Sequence, residues 1–154
     1  MKLGSAIPGV ELIGLDRRAD ERGWLVEIYR SDGPHAGVLP AMAYVSLTRP
    51  GVVRGPHEHR TQTDVFAFLD GRFRIVLWEN RPGRPSAREE HTVGHERPTA
   101  IVVPPGVVHA YQNIGDAPAI VINMPDQLYA GPGRSQPVDE IRHEADPESP
   151  FKIV

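Results

Sequence analysis

Residues 54–64 read RGPHEHRTQTD, two histidines one residue apart with an arginine ahead and an acid behind. An imidazole can ligate a metal, exchange a proton near neutral pH or, beside an arginine, help hold phosphate. On a strand His57 and His59 project to the same face. Gly71 and Pro105-Gly106 are turn residues that bring the neighbouring strands back alongside. Asp64 and His109 then converge on the same spot. Three imidazoles and a carboxylate suit Fe(II), Mn, Ni, Cu or Zn, so His57, His59, Asp64 and His109 form a candidate divalent-metal set. His35, His91, His95 and His143 stand alone in the sequence, read as surface residues, and are assigned no role.

The elements that position these groups are short strands. Glycine and proline are frequent along the whole chain and interrupt every apolar run before a long helix forms. RGWLVEIYR alternates, with Trp24, Val26 and Ile28 on one face and Leu25, Glu27 and Tyr29 on the other. AMAYVSLTR reads the same way. VFAFLDGRFRIVLW predicts two strands joined as a hairpin through Asp70-Gly71. NRPGRPSAREE reads as a polar loop, and TAIVVP, VVHAYQN and PAIVINM as three more strands. In the tail, VDEIRHE is a candidate edge strand, and SPFKIV carries apolar residues able to dock on a neighbour. Many short strands with regular turns predict an all-β sandwich or barrel in a single domain, 1–154. Its core barrel is expected at about 40–125, with N-terminal strands at 6–30 and a tail at 126–154 packing on the barrel or a partner.

The chain has 154 residues, a formal net charge of −3 and no cysteine. The charge gives no global signal for nucleic acid or an anionic membrane, and neither is an expected partner. The lack of cysteine excludes disulfides and thiolate metal sites, and fits a cytoplasmic location. The opening MKLGSAIPGVELIG has no long apolar core, so a signal peptide is not expected, and no stretch approaches a membrane span.

The spacing in HEHRTQTDVFAFLDG is His-x-His, four residues, an acid, six residues, glycine. In VPPGVVHAYQN it is Pro-x-Gly, two residues, His, three residues, Asn. Together these resemble the two motifs of the cupin superfamily, with Asp64 where glutamate is usual and Pro98 where a glycine often opens the second motif. The resemblance implies a jelly-roll barrel, the double-stranded β-helix.

The flanks add a narrower resemblance. DERGWLVE, GVVRGPH, VPPGVVHAY, DQLY and EIRHEADP follow in the order of similar segments in the dTDP-4-dehydrorhamnose 3,5-epimerase family. Membership would imply a homodimeric cupin acting on a nucleotide-linked keto-sugar without metal or other cofactor. It would also make His57 a catalytic base and Asp146 the carboxylate that orients it. Arg54 and Arg22 would hold diphosphate, Trp24 and Glu27 would lie near the nucleotide, and His109 would line the pocket. Family members complete their sites with the partner's N-terminal strand.

Several positions depart from that pattern. Asp64 replaces a lysine that steadies the enolate, and Asn123 replaces a tyrosine that acts as the acid on the opposite face. Tyr129 matches a later tyrosine of the same segment, His59 replaces a glutamine, and Met42 and Tyr44 replace a Gln and an Asn. RGPHEH also resembles sugar-nucleotide 3,4-ketoisomerases, in which paired histidines shuttle protons without metal. On that resemblance His57 and His59 share the work, with Tyr44 or Arg49 as helpers. Three readings follow: a metal-free epimerase or isomerase on a nucleotide-activated 4-keto-6-deoxy sugar, a metal-dependent cupin enzyme, and an inactive cupin that binds sugar or nucleotide.

Overall fold

A computed structural model describes residues 2–35 and 37–154. Its strands are β1 (Lys2–Leu3), β2 (Glu11–Gly14), β3 (Arg17–Asp20), β4 (Gly23–Val26), β5 (Tyr44–Thr48), β6 (Val53–Glu58) and β7 (Asp64–Phe68). They continue with β8 (Arg72–Glu79), β9 (Arg88–Gly94), β10 (Thr99–Val103), β11 (Val107–Asn113), β12 (Ala119–Asn123) and β13 (Ile141–Arg142). Two 3-10 turns, Pro132–Arg134 and His143–Ala145, interrupt the tail. No helix among the described residues is long and apolar enough to cross a membrane.

Two antiparallel sheets make the body, in the orders β1-β2-β10-β7-β12-β5 and β13-β6-β11-β8-β9, and β3-β4 forms a separate ribbon. The fold is the all-β cupin jelly roll that the two histidine motifs imply. Alternation along each strand decides what lies between the sheets. Phe66 and Phe68 of β7, Phe73, Ile75 and Leu77 of β8, and Ile101 and Val103 of β10 share one core. The opposite rows are covered as well. Val65, Ala67, Ala100 and Val102 lie under Val26, Ile28, Tyr29 and Val38, and Val76, Trp78, Val108 and Ala110 lie under Phe151 and Ile153 of the tail. Burial on both faces is why VFAFL reads as an unbroken apolar run. One outward row stays bare: Val45 and Leu47 of β5 and Ile120 of β12 are exposed.

The structure corrects five expectations. VFAFLDGRFRIVLW is not a hairpin, because β7 pairs with β10 and β12 while β8 pairs with β11 and β9. The Asp70-Gly71 turn carries the chain from one sheet to the other. Arg88, Glu89 and Glu90 leave the predicted loop to open β9, a polar edge strand whose register is set by β8. The expected strand over 22–30 ends at Val26, and the tail strand shrinks to Ile141–Arg142. His35, read as a surface residue, is buried edge-on against Tyr29 at 4.9 Å.

Gly71 has φ +61, and a Cβ there would lie 2.3 Å from the Ala119 Cβ. Gly71→Ala is expected to cost about 2 kcal/mol through strain and overpacking. A fall in melting temperature of several degrees in a thermal denaturation experiment would show it.

Candidate active site

Strand β6 carries the first cluster through an irregularity. His57 lies opposite His109 and Arg54 opposite Tyr111, so three steps on β6 match two on β11. That is a β-bulge. In a regular strand residues three apart face opposite ways. The extra residue turns Arg54 and His57 to the same cavity. Gly55 makes the bulge, with φ +80 and a hypothetical Cβ 2.6 Å from the His109 carbonyl and 3.1 Å from His57 Nδ1. No side chain fits there. Arg54 is braced on β5, where Nε donates to Thr48 Oγ1 at 2.9 Å and Nη2 to the Leu47 carbonyl at 2.7 Å.

The inward rows supply the rest. Asp64 precedes Phe66 and Phe68 in the inward row of β7, His109 lies between Val107 and Tyr111 on β11, and Asn123 follows Val121 on β12. Apolar core thus gives way to polar groups around one buried carboxylate. Asp64 is 1 % exposed. Its Oδ1 accepts from Gln62 Nε2 at 2.9 Å and Asn123 Nδ2 at 3.0 Å. Its Oδ2 lies 3.0 Å from His59 Nε2 and 3.5 Å from His109 Nε2. His109 Nδ1 donates to the Val107 carbonyl at 3.1 Å. The His57 and His109 rings meet edge to face at 4.4 Å.

The tail closes the site. Arg142 pairs in register with His57, and Ile141 with Glu58. The Asp139 carboxylate accepts the backbone N–H groups of Arg60, Thr61 and Gln62 at 2.8–3.0 Å, fixing the loop after the histidines. The Asp139 carbonyl accepts from His59 Nδ1. Glu140 places its carboxylate 4.0 Å from His57 Nδ1. On the other side of β6, Glu58 accepts from His143 Nε2 at 2.8 Å and pins the tail.

These surroundings push the two histidines apart. Burial, reinforced by His109 and His59, drives the pKa of His57 down to about 2, so the ring is neutral at neutral pH. Burial also works against a charge on His59. The Asp64 carboxylate and the Asp139 carbonyl outweigh it and raise the pKa to about 8. Both His59 nitrogens face acceptors, as an imidazolium requires. Burial favours a protonated Asp64, but His109 and His59 overcome it and hold the carboxyl well below the usual range.

A cavity of about 620 Å³ opens beside this cluster, lined by His57, His59, Arg54, Tyr44, Tyr129 and Glu140 among others. Of the residues singled out in the sequence, Asp64, His109 and Asn123 lie buried behind its wall. Arg22, Trp24 and Glu27 are elsewhere, on the β3–β4 ribbon and just after it. Arg22 pairs with Asp20, Trp24 lies under the Arg17 guanidinium and Glu27 meets Arg18 and Arg30. Asp146 is not at His57. Its carboxylate caps the Glu148 N–H, and Glu140 is the acid beside His57. The sequence reading passed over Asp139 and Glu140, although both lie in the segment taken as an edge strand. Arg134 and Arg142 also line the cavity and were not foreseen.

Residues 18–133 match the profile of a family described as the polysaccharide biosynthesis C-terminal domain. The chain is 38% identical over 126 residues to Agl13 of Haloferax volcanii, a probable low-salt glycan biosynthesis epimerase, covering 80% of this chain and 81% of that one. It is 30% identical over 128 residues to the spore coat polysaccharide biosynthesis protein SpsL of Bacillus subtilis, covering 80% and 82%. Among solved structures, a dTDP sugar isomerase from Desulfovibrio desulfuricans superposes with a TM-score of 0.81 at 26% identity, over 95% of this chain and 91% of that one.

The two shifts act on opposite sides of the ordinary histidine value of 6.5. The folded pKa of His59 is raised, so its stabilisation is complete below 6.5 and fades as pH rises through about 8. That of His57 is lowered, so below 6.5 the unfolded chain takes up the proton first and stability falls with pH. Denaturant titrations across pH should show His59→Asn removing the alkaline loss and His57→Asn reducing the acid one.

Proposed function

The chain belongs to the polysaccharide biosynthesis C-terminal domain family, and we propose that it is an epimerase or isomerase of nucleotide-activated 4-keto-6-deoxy sugars. The observation that carries this reading is that His57 beside Glu140 and His59 beside Asp64 line one cavity, with a braced arginine next to them. Acid and base assignments follow where environments push neighbouring pKa values apart. His57 removes the proton next to the ketone, and Glu140 stabilises the imidazolium that forms. His59, held between Asp64 and Asp139, places its positive charge at the cavity wall, where it stabilises the enolate charge as it develops. Asp64, in the place of a lysine, does not oppose this chemistry. Its charge is buried behind His59 and keeps that ring cationic.

Arg54 meets the diphosphate as a guanidinium fork. Tyr129 stands at the cavity mouth, while His109 and Asn123 hold Asp64 and so support His59. Arg22, Trp24 and Glu27 serve the cavity of a second copy, in a homodimer that covers the bare row of Val45, Leu47 and Ile120. Acid, base and anion contacts all come from side chains, so the reaction needs no cofactor. The cysteine-free composition accords with a cytoplasmic enzyme.

One observation favours a second reading. Ligand nitrogens of His57, His59 and His109 lie within 4.8 Å of one another, a spacing that invites a metal. The donor set fits poorly as arranged. Both His59 nitrogens are committed to acceptors, and a protonated ring has no lone pair to offer. Metal analysis separates the readings: near-stoichiometric metal in the purified protein, lost in His59→Ala, would replace the proton-transfer reading.

In D2O, with a dTDP-4-keto-6-deoxy sugar, the protein is expected to introduce deuterium beside the ketone. His57→Asn should slow this by about 10²–10⁴-fold while nucleotide binding persists. A wild-type protein that binds the sugar nucleotide and exchanges no carbon-bound proton would refute the proposal.

A further inference from the structure

We propose that Tyr44 is the proton donor facing His57 across the cavity, so that the two side chains work on opposite faces of the sugar. This rests on the epimerase reading above. The two residues line one cavity from different sheets, Tyr44 on β5 of the six-stranded sheet and His57 on β6 of the five-stranded one. A ring between them is exposed to a base on one side and a hydroxyl on the other.

The Tyr44 hydroxyl is held for that task. Tyr44 pairs in register with Asn123 across β5 and β12. Asn123 Nδ2 donates to the Tyr44 oxygen at 2.8 Å and to Asp64 Oδ1 at 3.0 Å. A phenol that accepts this bond keeps its own proton free to give. Burial, which raises the Tyr44 pKa and outweighs the Asn123 bond, keeps the hydroxyl protonated at neutral pH. Asn123 stands where the resembling epimerases have their acid tyrosine. Here the amide orients a hydroxyl supplied by the adjacent strand.

The other tyrosines of the cavity are placed differently. Tyr111 is 4 % exposed, and its hydroxyl is tied to Ser46 Oγ at 3.0 Å. Tyr44 and Tyr129 are similarly exposed, at 45 % and 52 %, but Tyr44 is fixed in β5 with its hydroxyl held by Asn123, whereas Tyr129 lies on the loop after β12.

In the step proposed, His57 takes the proton from the carbon next to the ketone, and the C–H electron pair passes into the enolate. Tyr44 then gives its proton to the same carbon from the opposite face, and the enolate returns to the ketone. Solvent removes one proton from the His57 imidazolium and restores one to the Tyr44 phenolate. Nothing is oxidised or reduced, and the configuration of one carbon is inverted.

Tyr44→Phe in D2O separates abstraction from delivery. Deuterium should still enter recovered substrate of unchanged configuration, within a few-fold of the wild-type exchange rate. Formation of the epimer should fall by about 10²-fold or more. Asn123→Ala should show the same split more mildly, because the hydroxyl is present but no longer held. Epimer formation by Tyr44→Phe at near wild-type rate would overturn the proposal. So would the same split seen in Tyr129→Phe in its place, or loss of exchange and nucleotide binding together in Tyr44→Phe. Absence of exchange in the wild-type protein would instead sink the epimerase reading, and the Tyr44 role with it.

Discussion

A carboxylate sealed between two sheets is the constraint on which the site depends. An isolated charge in such a place is strongly unfavourable, so Asp64 must either take a proton or gather partners. It gathers four: Gln62 and Asn123 on one oxygen, His59 and His109 on the other. His59 and Gln62 come from the loop after β6, His109 from β11 and Asn123 from β12, and the partners are themselves anchored. His109 is tied to the Val107 carbonyl, Asn123 reaches on to Tyr44, and His59 is held at its far nitrogen by Asp139. One buried charge therefore helps to place His59 and Gln62 and, through Asn123, Tyr44 at the cavity wall.

The separation of the two neighbouring histidines follows from this arrangement. His57 has no carboxylate as close as the one beside His59, and it sits against two other imidazoles, so it stays neutral. His59 has Asp64 at 3.0 Å and is charged. Identical side chains two residues apart thus acquire opposite roles from their surroundings. The bulge at Gly55 does comparable work in geometry. It brings Arg54 round to the side that alternation would have denied it, so Arg54 and His57 share one wall.

Much of the fold was legible because alternation and turn chemistry are local. β10, β11 and β12 lie almost where TAIVVP, VVHAYQN and PAIVINM placed them. The Asp70-Gly71 turn misled because a tight turn fixes a change of direction, not which strand pairs with which. A jelly roll hands successive strands to different sheets. The convergence of His57, His59, Asp64 and His109 was readable from spacing. Glu140 was not, because the register of a two-residue strand against β6 decides which tail carboxylate meets His57. Asp64 likewise looked like an anion aimed at an enolate. Only its burial behind His59 shows that its effect reaches the cavity as a positive charge.

Asp139 and His59 are 80 positions apart in the chain. The barrel core holds together through β7, β8, β10, β11 and β12 without that contact. The tail thus adds a last contact to a site whose other groups sit on the core strands. Drift in a short tail segment would therefore release His59 while leaving the core between the sheets intact.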